Sequence, residues 1–320
     1  MADAFARGRR TDYGSAAVPF RSSRIAAPDG NTVADLLPAV GMLCHSLVHA
    51  GEQLLDGGKG VEAYAELGAT MGIPLLYPWA NRLDGLHYTA AGKSVALPDD
   101  RTRVPQDPGG LPIHGIVPSL MRWEAERGED GTALTGTLAW SAPELRALYP
   151  FDHEVAMRVV AGDAALTVTT TVRAIGEEAV PVSFGFHPYL RVPGSDRSSW
   201  HVQLPELERL LLNERMIPTG ERRPMTDDER AFMLGGTSWD DGLAVLEQPA
   251  RFAVSAAGWG VALELLEGYR WAQIYAPPGH DFICFEPMTA PTNALCSGDR
   301  LTVLPPGEEY RAIFRVSAWR

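Results

Sequence analysis

Apolar and polar residues alternate through most of this chain. The run 165–175, ALTVTTTVRAI, puts Leu166, Val168, Thr170 and Val172 on one face at period two and is rich in β-branched side chains, which predicts a half-buried strand. Similar short runs cover 32–37, 132–140, 154–160, 251–255, 261–266 and 311–317. Gly, Pro, Asn and Asp punctuate them at close intervals, with 32 Gly and 25 Pro in the chain, so the strands are expected to be antiparallel and joined by turns. Helical signals are few. The pairs Ser141/Glu144 and Thr226/Glu229 each fit a capping box, and each opens at most a couple of turns before Pro or Gly intervenes. The stretch 206–215 fits both an amphipathic helix and a strand and is assigned to strand. No βαβ alternation is visible, which argues against a doubly wound nucleotide-binding sheet. The expected class is all-β, mostly antiparallel, with few short helices.

Composition narrows the organisation and the partners. The 320 residues suffice for two average domains, yet no linker divides them, so one domain is expected over 19–320 behind a flexible tail at 1–18. A net charge of −12 disfavours nucleic acid and anionic membrane surfaces as partners, and makes a highly phosphorylated ligand less suitable. Cys44, Cys284 and Cys296 are odd in number and lack CxxC spacing, which fits a reducing cytoplasm better than a disulfide framework or a zinc site. The basic start MADAFARGRR is followed by no apolar h-region, and no apolar run is long enough to span a bilayer. Cofactor signatures fail as well. The segment 56–60, DGGKG, lacks Walker spacing, His45 and His49 lack the glutamate of HExxH, and GxSxG is absent, so no cofactor and no metal are expected.

Candidate chemistry lies in separated blocks. In DFICFEPMTAPTNAL, 281–295, the apolar run 282–285 reads as a buried strand with Glu286 at its end, where lost hydration raises a carboxylate toward general-base values. Asn81 and Arg82 lie in LYPWANRLDG, His114 in LPIHG, and His187 in SFGFHPYL, each in an apolar setting broken by Gly or Pro. An arginine, two histidines and a glutamate suit acid-base work on a polyhydroxylated ligand. Plainer roles compete: Glu286 satisfied by an arginine or backbone amides, His187 a core histidine, His114 a turn residue, and Arg82 in a salt bridge to Asp84. In TSWDDGL a turn sets Asp240 and Asp241 beside Trp239, an arrangement found in sugar recognition as well as in solvated turns.

These blocks, in this order, resemble the aldose 1-epimerase (galactose mutarotase) family from about Ile25 to the C-terminus. The resemblance implies an antiparallel β-supersandwich with a sugar site in its concave face, a monomer or loose homodimer, and interconversion of the anomers of a sugar. A base takes the proton from the C1 hydroxyl while an acid protonates the ring oxygen; the ring opens, and it recloses after rotation about C1–C2. The resemblance assigns the base to Glu286. His187 is the candidate acid, held protonated near neutral pH by a nearby Glu286. By the same likeness His114 helps place the ring oxygen or adjacent hydroxyls, and Arg82, oriented by Asn81, binds neighbouring hydroxyls. Asp240 matches the substrate-binding aspartate with Asp241 as the alternative, and Gln273 is a further hydroxyl-binding candidate. The leading expectation is a cofactor-independent aldose 1-epimerase acting on a free hexose such as glucose or galactose. The alternatives are a hexose-6-phosphate 1-epimerase that recruits Arg101, Arg103, Arg191 or Arg197, and a non-catalytic sugar-binding or sensory module. A lyase or hydrolase would more naturally use paired carboxylates or a tyrosine base. IHGIV and HPY stand where many galactose mutarotases carry HGG and HSY, which leaves the sugar open.

Overall fold

A computed structural model describes residues 20–320, so the tail expected over 1–18 lies outside the described residues. Two large sheets dominate. One is nine-stranded, in the order Ala231–Met233, His201–Gln203, Ala250–Ala256, Trp259–Glu267, Glu309–Trp319, Ala165–Ala174, His153–Gly162, Ala133–Trp140 and Glu124–Arg127. The other is eight-stranded: Pro218–Pro224, Leu207–Leu212, Trp239–Val245, Trp271–Ala276, Ile283–Met288, Gly185–Phe186 and Leu75–Leu76 follow one another, and Tyr189–Leu190 also pairs with Ile283–Met288. The ladders are antiparallel, as the dense turn residues predict.

Period-two patterning explains which way each strand faces. Along Ala165–Ala174, Leu166, Val168, Thr170 and Val172 are all buried, on the face the alternation predicts. Along Ile283–Met288, Phe285 turns toward the nine-stranded sheet and meets Phe252 with ring centroids 5.6 Å apart. Its neighbour Glu286 therefore points to the opposite face. Phe186 likewise meets Phe314 across the sheets at 4.9 Å. Burying such a side chain contributes roughly 1.5–3 kcal/mol, so these cross-sheet rings hold the strand that carries Glu286 in a fixed register.

Several local expectations are met and others corrected. The stretch 206–215 does contain a strand, Leu207–Leu212. The capping box at Thr226 and Glu229 forms and opens the helix Asp227–Arg230. Ser141, however, is not a cap. Pro143 takes the first helical position and holds Ala142 extended at ψ 137, so the helix Pro143–Arg146 starts past the serine. A helix at Val61–Leu67 was not expected; Gly60 and Gly68 bound it, and it buries Val61, Tyr64 and Ala65. The strand predicted over 282–285 runs instead from Ile283 to Met288, so Glu286 stands inside the ladder rather than at its end. Among the described residues no helix is long and apolar enough to cross a membrane.

Candidate active site

Glu286 and His187 come together through the strand Ile283–Met288. Both Gly185–Phe186 and Tyr189–Leu190 pair with it, which leaves His187 on the link between them. His187 Nε2 lies 3.2 Å from Glu286 Oε1, and both side chains are buried. The imidazole is clamped by rings: Tyr189 stacks on it at 4.7 Å, and His114 meets it edge-on at 5.3 Å. Register places the remaining partners. Gln273 sits opposite Glu286 and Asp240 opposite Tyr275, so Glu286, Gln273, Tyr275 and Asp240 belong to one face of three neighbouring strands.

The loops of 77–82 and 111–116 supply the other wall. Asn81 and His114 both hold left-handed backbone, at φ 56 and 63, and His114 N–H donates to Asn81 O at 3.0 Å. Such positions cost of order 1–3 kcal/mol each and persist because neighbours over-determine them. Gly115 is required at its position, with φ +81, because an added Cβ would lie 2.0 Å from Tyr77 O. The Ile116 N–H then donates to the same Tyr77 carbonyl at 3.0 Å, tying the two loops together.

Arg82 is held from several sides. Its Nε donates to Asp107 at 2.8 Å, its Nη1 to Asn81 Oδ1 at 3.2 Å, and its Nη2 lies 3.8 Å from Asp240. Gln273 Nε2 donates to the other Asp240 oxygen at 2.5 Å. The salt bridge considered between Arg82 and Asp84 does not form; Asp84 pairs with Arg215, on the surface. Asp240 lines the cavity, whereas Asp241 points to the other side, where Arg209 approaches it at 3.5 Å and stacks over Trp239.

These groups enclose a cavity of about 570 Å³ lined by Asn81, Arg82, Asp107, His114, His187, Tyr189, Asp240, Tyr275 and Glu286, among others. Gln273 acts behind the wall, through Asp240, rather than lining the space. None of Arg101, Arg103, Arg191 and Arg197 lines it. Arg197 is instead spent on backbone carbonyls, including Gly235 O at 2.7 Å and Thr237 O at 2.6 Å. Three buried atoms of the lining residues have no partner in the protein: His114 Nδ1, His187 Nδ1 and Glu286 Oε2. Buried polar atoms are rarely left so. Among the described residues no group of three or more His, Cys, Asp or Glu is arranged to hold a metal ion.

Burial controls protonation here. Desolvation raises the Glu286 carboxyl well above its ordinary range, Asp240 adds to the rise, and Arg82 opposes it. Desolvation also lowers His187 to about 3 and His114 well below the usual histidine value. Burial therefore works against the expectation that Glu286 holds His187 protonated at neutral pH. Loss of hydration disfavours both charged forms, which favours a proton on the carboxyl over one on the imidazole. Asp107 behaves differently. Burial works against its ionisation, but the bonds from Arg82 and the Leu111 N–H outweigh it and keep the carboxyl below its ordinary value.

Sequence reasoning missed Asp107 and gave no role to Tyr275 or Thr70, all of which line the cavity. Asp107 opens DPGG, a turn signature, and its Oδ1 accepts from Leu111 N–H, so the turn was readable although its ion-pair partner was not.

Comparison with known proteins agrees with the fold and with the family resemblance. The family model described as aldose 1-epimerase matches residues 31–317. The uncharacterized protein YihR of Escherichia coli K12 is 25% identical over 254 residues, covering 77% of this chain and 79% of that protein. A galactose mutarotase-like protein from Clostridium acetobutylicum superposes with a TM-score of 0.77 at 20% identity, covering 92% of this chain and 94% of its own. A galactose mutarotase related enzyme from Lactobacillus acidophilus gives 0.76 at 17%, covering 94% and 98%. At those identities the structural likeness speaks for the shared sandwich alone.

Proposed function

The chain belongs to the aldose 1-epimerase family, and from that premise we propose that it interconverts the α and β anomers of a free hexose. The observation that carries the reading is the His187 and Glu286 contact at 3.2 Å in the lining of a cavity that Arg82, His114 and Asp240 also line. A base and an acid in direct contact can act on adjacent atoms of one ring, the C1 hydroxyl and the ring oxygen. Glu286 accepts the proton of O1, His187 donates its proton to the ring oxygen, and the C1–O5 bond opens to an aldehyde. Rotation about C1–C2 presents the other face. The same two groups then reverse roles, so the pair ends with the proton count it started with.

For this sequence of steps the shared proton must sit on His187 when the sugar arrives. Hydroxyl groups donating to the free Glu286 Oε2 replace the hydration that burial removed, and Arg82 favours the ionised carboxyl. The proton's shift from carboxyl to imidazole is thereby coupled to binding. Arg82, clamped by Asp107 and Asn81, turns its remaining donors toward neighbouring hydroxyls, and Asp240, braced by Gln273, accepts from them. His114, kept neutral by burial, is a hydrogen-bond partner and not a second acid.

Charge supports a free sugar over a sugar phosphate in this cavity. Among the described residues Arg82 is the one guanidinium in its lining, and it already faces the carboxylates of Asp107 and Asp240. A dianionic phosphate would meet more repulsion than attraction. Exchange NMR of α-glucose, α-galactose and glucose 6-phosphate at equal concentration tests this. The proposal expects faster anomer exchange with a free hexose, and a higher rate with the phosphate would overturn it.

A further inference from the structure

A basic cavity opens at the other end of the strands that carry the acid-base groups. Its lining includes Arg222, Arg270, Arg300, Trp271 and Thr302 and contains no Asp or Glu among the described residues, in a chain with 40 acidic and 28 basic side chains. The arginines come from separate segments: Arg222 from the strand Pro218–Pro224, Arg270 from the turn before Trp271–Ala276, and Arg300 from the turn after the helix Ala294–Ser297. Arg270 and Arg300 are exposed and have neither an ion pair nor a side-chain hydrogen bond among the described residues. Arg222 lies over the Trp271 ring at 5.7 Å and has Glu208 at 3.4 Å. Glu267, which with Arg270 acts on the Tyr310 hydroxyl, is taken by Arg311 at 2.6 Å. Like charges gathered in one concavity repel one another, and an anion among them turns that repulsion into attraction. The cavity is separate from the acid-base pocket. The two share no lining residue among those described. Ala244, Trp271 and Met288 form one row across three strands, next to the row of Gln273 and Glu286, and pack with Leu76, Ala80 and Leu210 into an apolar group between the two spaces.

We propose that this cavity binds the phosphate monoester of a small organic molecule. The site stands independently of the anomer-exchange reading. Guanidinium groups reaching in from three segments suit a tetrahedral anion, whose oxygens point apart, better than a planar carboxylate with its two oxygens on one side. Each guanidinium offers a fork of donors, and Thr302 adds a hydroxyl. Trp271, Val245 and Leu246 give the organic part an apolar surface, with Leu246 half exposed. A neutral sugar would leave the charge of the arginines uncompensated. A polyanion such as nucleic acid would extend beyond the lining and meet the net charge of −12 around it, whereas a compact dianion meets the lining alone.

The test is calorimetric titration of the full chain with inorganic phosphate, phenyl phosphate and citrate at constant ionic strength. Phosphate is expected to bind, phenyl phosphate more tightly because its ring covers the apolar wall, and citrate more weakly than either. Arg270→Ala and, independently, Arg300→Ala are each expected to weaken phenyl phosphate about tenfold, the loss expected for one charged hydrogen-bonding partner. Arg101→Ala, outside the cavity, is expected to leave its affinity unchanged. Both cavity arginines are exposed, and thermal melts in phosphate-free buffer are expected to match wild type, which separates loss of binding from loss of fold. Saturating glucose is expected to leave phosphate binding unaltered, since the acid-base pocket is a separate space. Absence of phosphate binding, binding that both arginine variants retain in full, displacement by glucose, or a tighter complex with citrate would each overturn the proposal.

Discussion

Gly115 gives the sharpest test of how the pocket is held. It follows His114 directly, its φ is +81, and a Cβ there would fall 2.0 Å from Tyr77 O, 2.4 Å from Tyr77 C and 2.9 Å from Tyr77 N. Gly110, five positions earlier on the same approach, has φ +83 and nothing within 4 Å of an added Cβ. Alanine at either site carries the same left-handed penalty of about 1–2 kcal/mol. At Gly115 it also carries the clash. The loop must retreat by more than about 1 Å to reach ordinary contact, which breaks the Ile116 N–H to Tyr77 O bond and loses about 1 kcal/mol more, with strain in addition. The difference between the variants is thus at least about 1–3 kcal/mol. His114 moves with the loop, and misplacement by about 1 Å costs on the order of a hundredfold in rate. Urea unfolding of Gly110→Ala and Gly115→Ala, with kcat for both, measures each part. Equal stability and equal activity for the two variants would refute the argument that the close approach of the loops positions His114.

Other perturbations have signed expectations. Glu286 has a folded pKa raised above its ordinary 4.5, so the native state keeps a proton that the unfolded chain loses, and stability falls as pH rises above that value. His187, lowered from 6.5 to about 3, adds stability as pH rises between those values. Glu286 thus lowers stability by up to about 1.4 kcal/mol per pH unit as pH rises above 4.5, until its own raised pKa is passed, while the opposing gain from His187 ends at 6.5. Glu286→Gln removes that contribution; thermal melts from pH 4.5 upward are expected to show wild type losing stability relative to the variant, and parallel curves would contradict the proton placement. Asp107→Asn leaves the fold intact but frees Arg82 from its charged partner, so steady-state kinetics are expected to show KM raised about tenfold with a smaller effect on kcat. An unchanged KM would mean that Arg82 needs no clamp.

The sequence made the strands visible because one face of each is buried against a second sheet, and burial at period two leaves its trace at Leu166, Val168, Thr170 and Val172. The capping box at Thr226 was equally local and equally readable. Long-range pairing leaves no such trace. Asp107 meets Arg82 across 25 positions, and Asp240 comes beside Gln273 only through the register of two strands that are far apart in the chain. The choice between Asp240 and Asp241 is a matter of strand facing, which the turn-like TSWDDGL conceals because Trp239–Val245 is in fact a strand. The loss of hydration at the His187 and Glu286 pair was hidden for a different reason. A partner's charge can be guessed from a motif, whereas the hydration both groups lose depends on how completely Tyr189, Tyr275 and His114 close around them.

The central claim is that Glu286 and His187 act as one base and one acid on the anomeric centre. Polarimetry of freshly dissolved α-glucose and α-galactose tests it with wild type, Glu286→Gln and His187→Asn side by side. The account predicts rapid equilibration by the wild type and a loss of roughly 10²–10⁴-fold in kcat for each variant. Variants that equilibrate either sugar as fast as the wild type would contradict it.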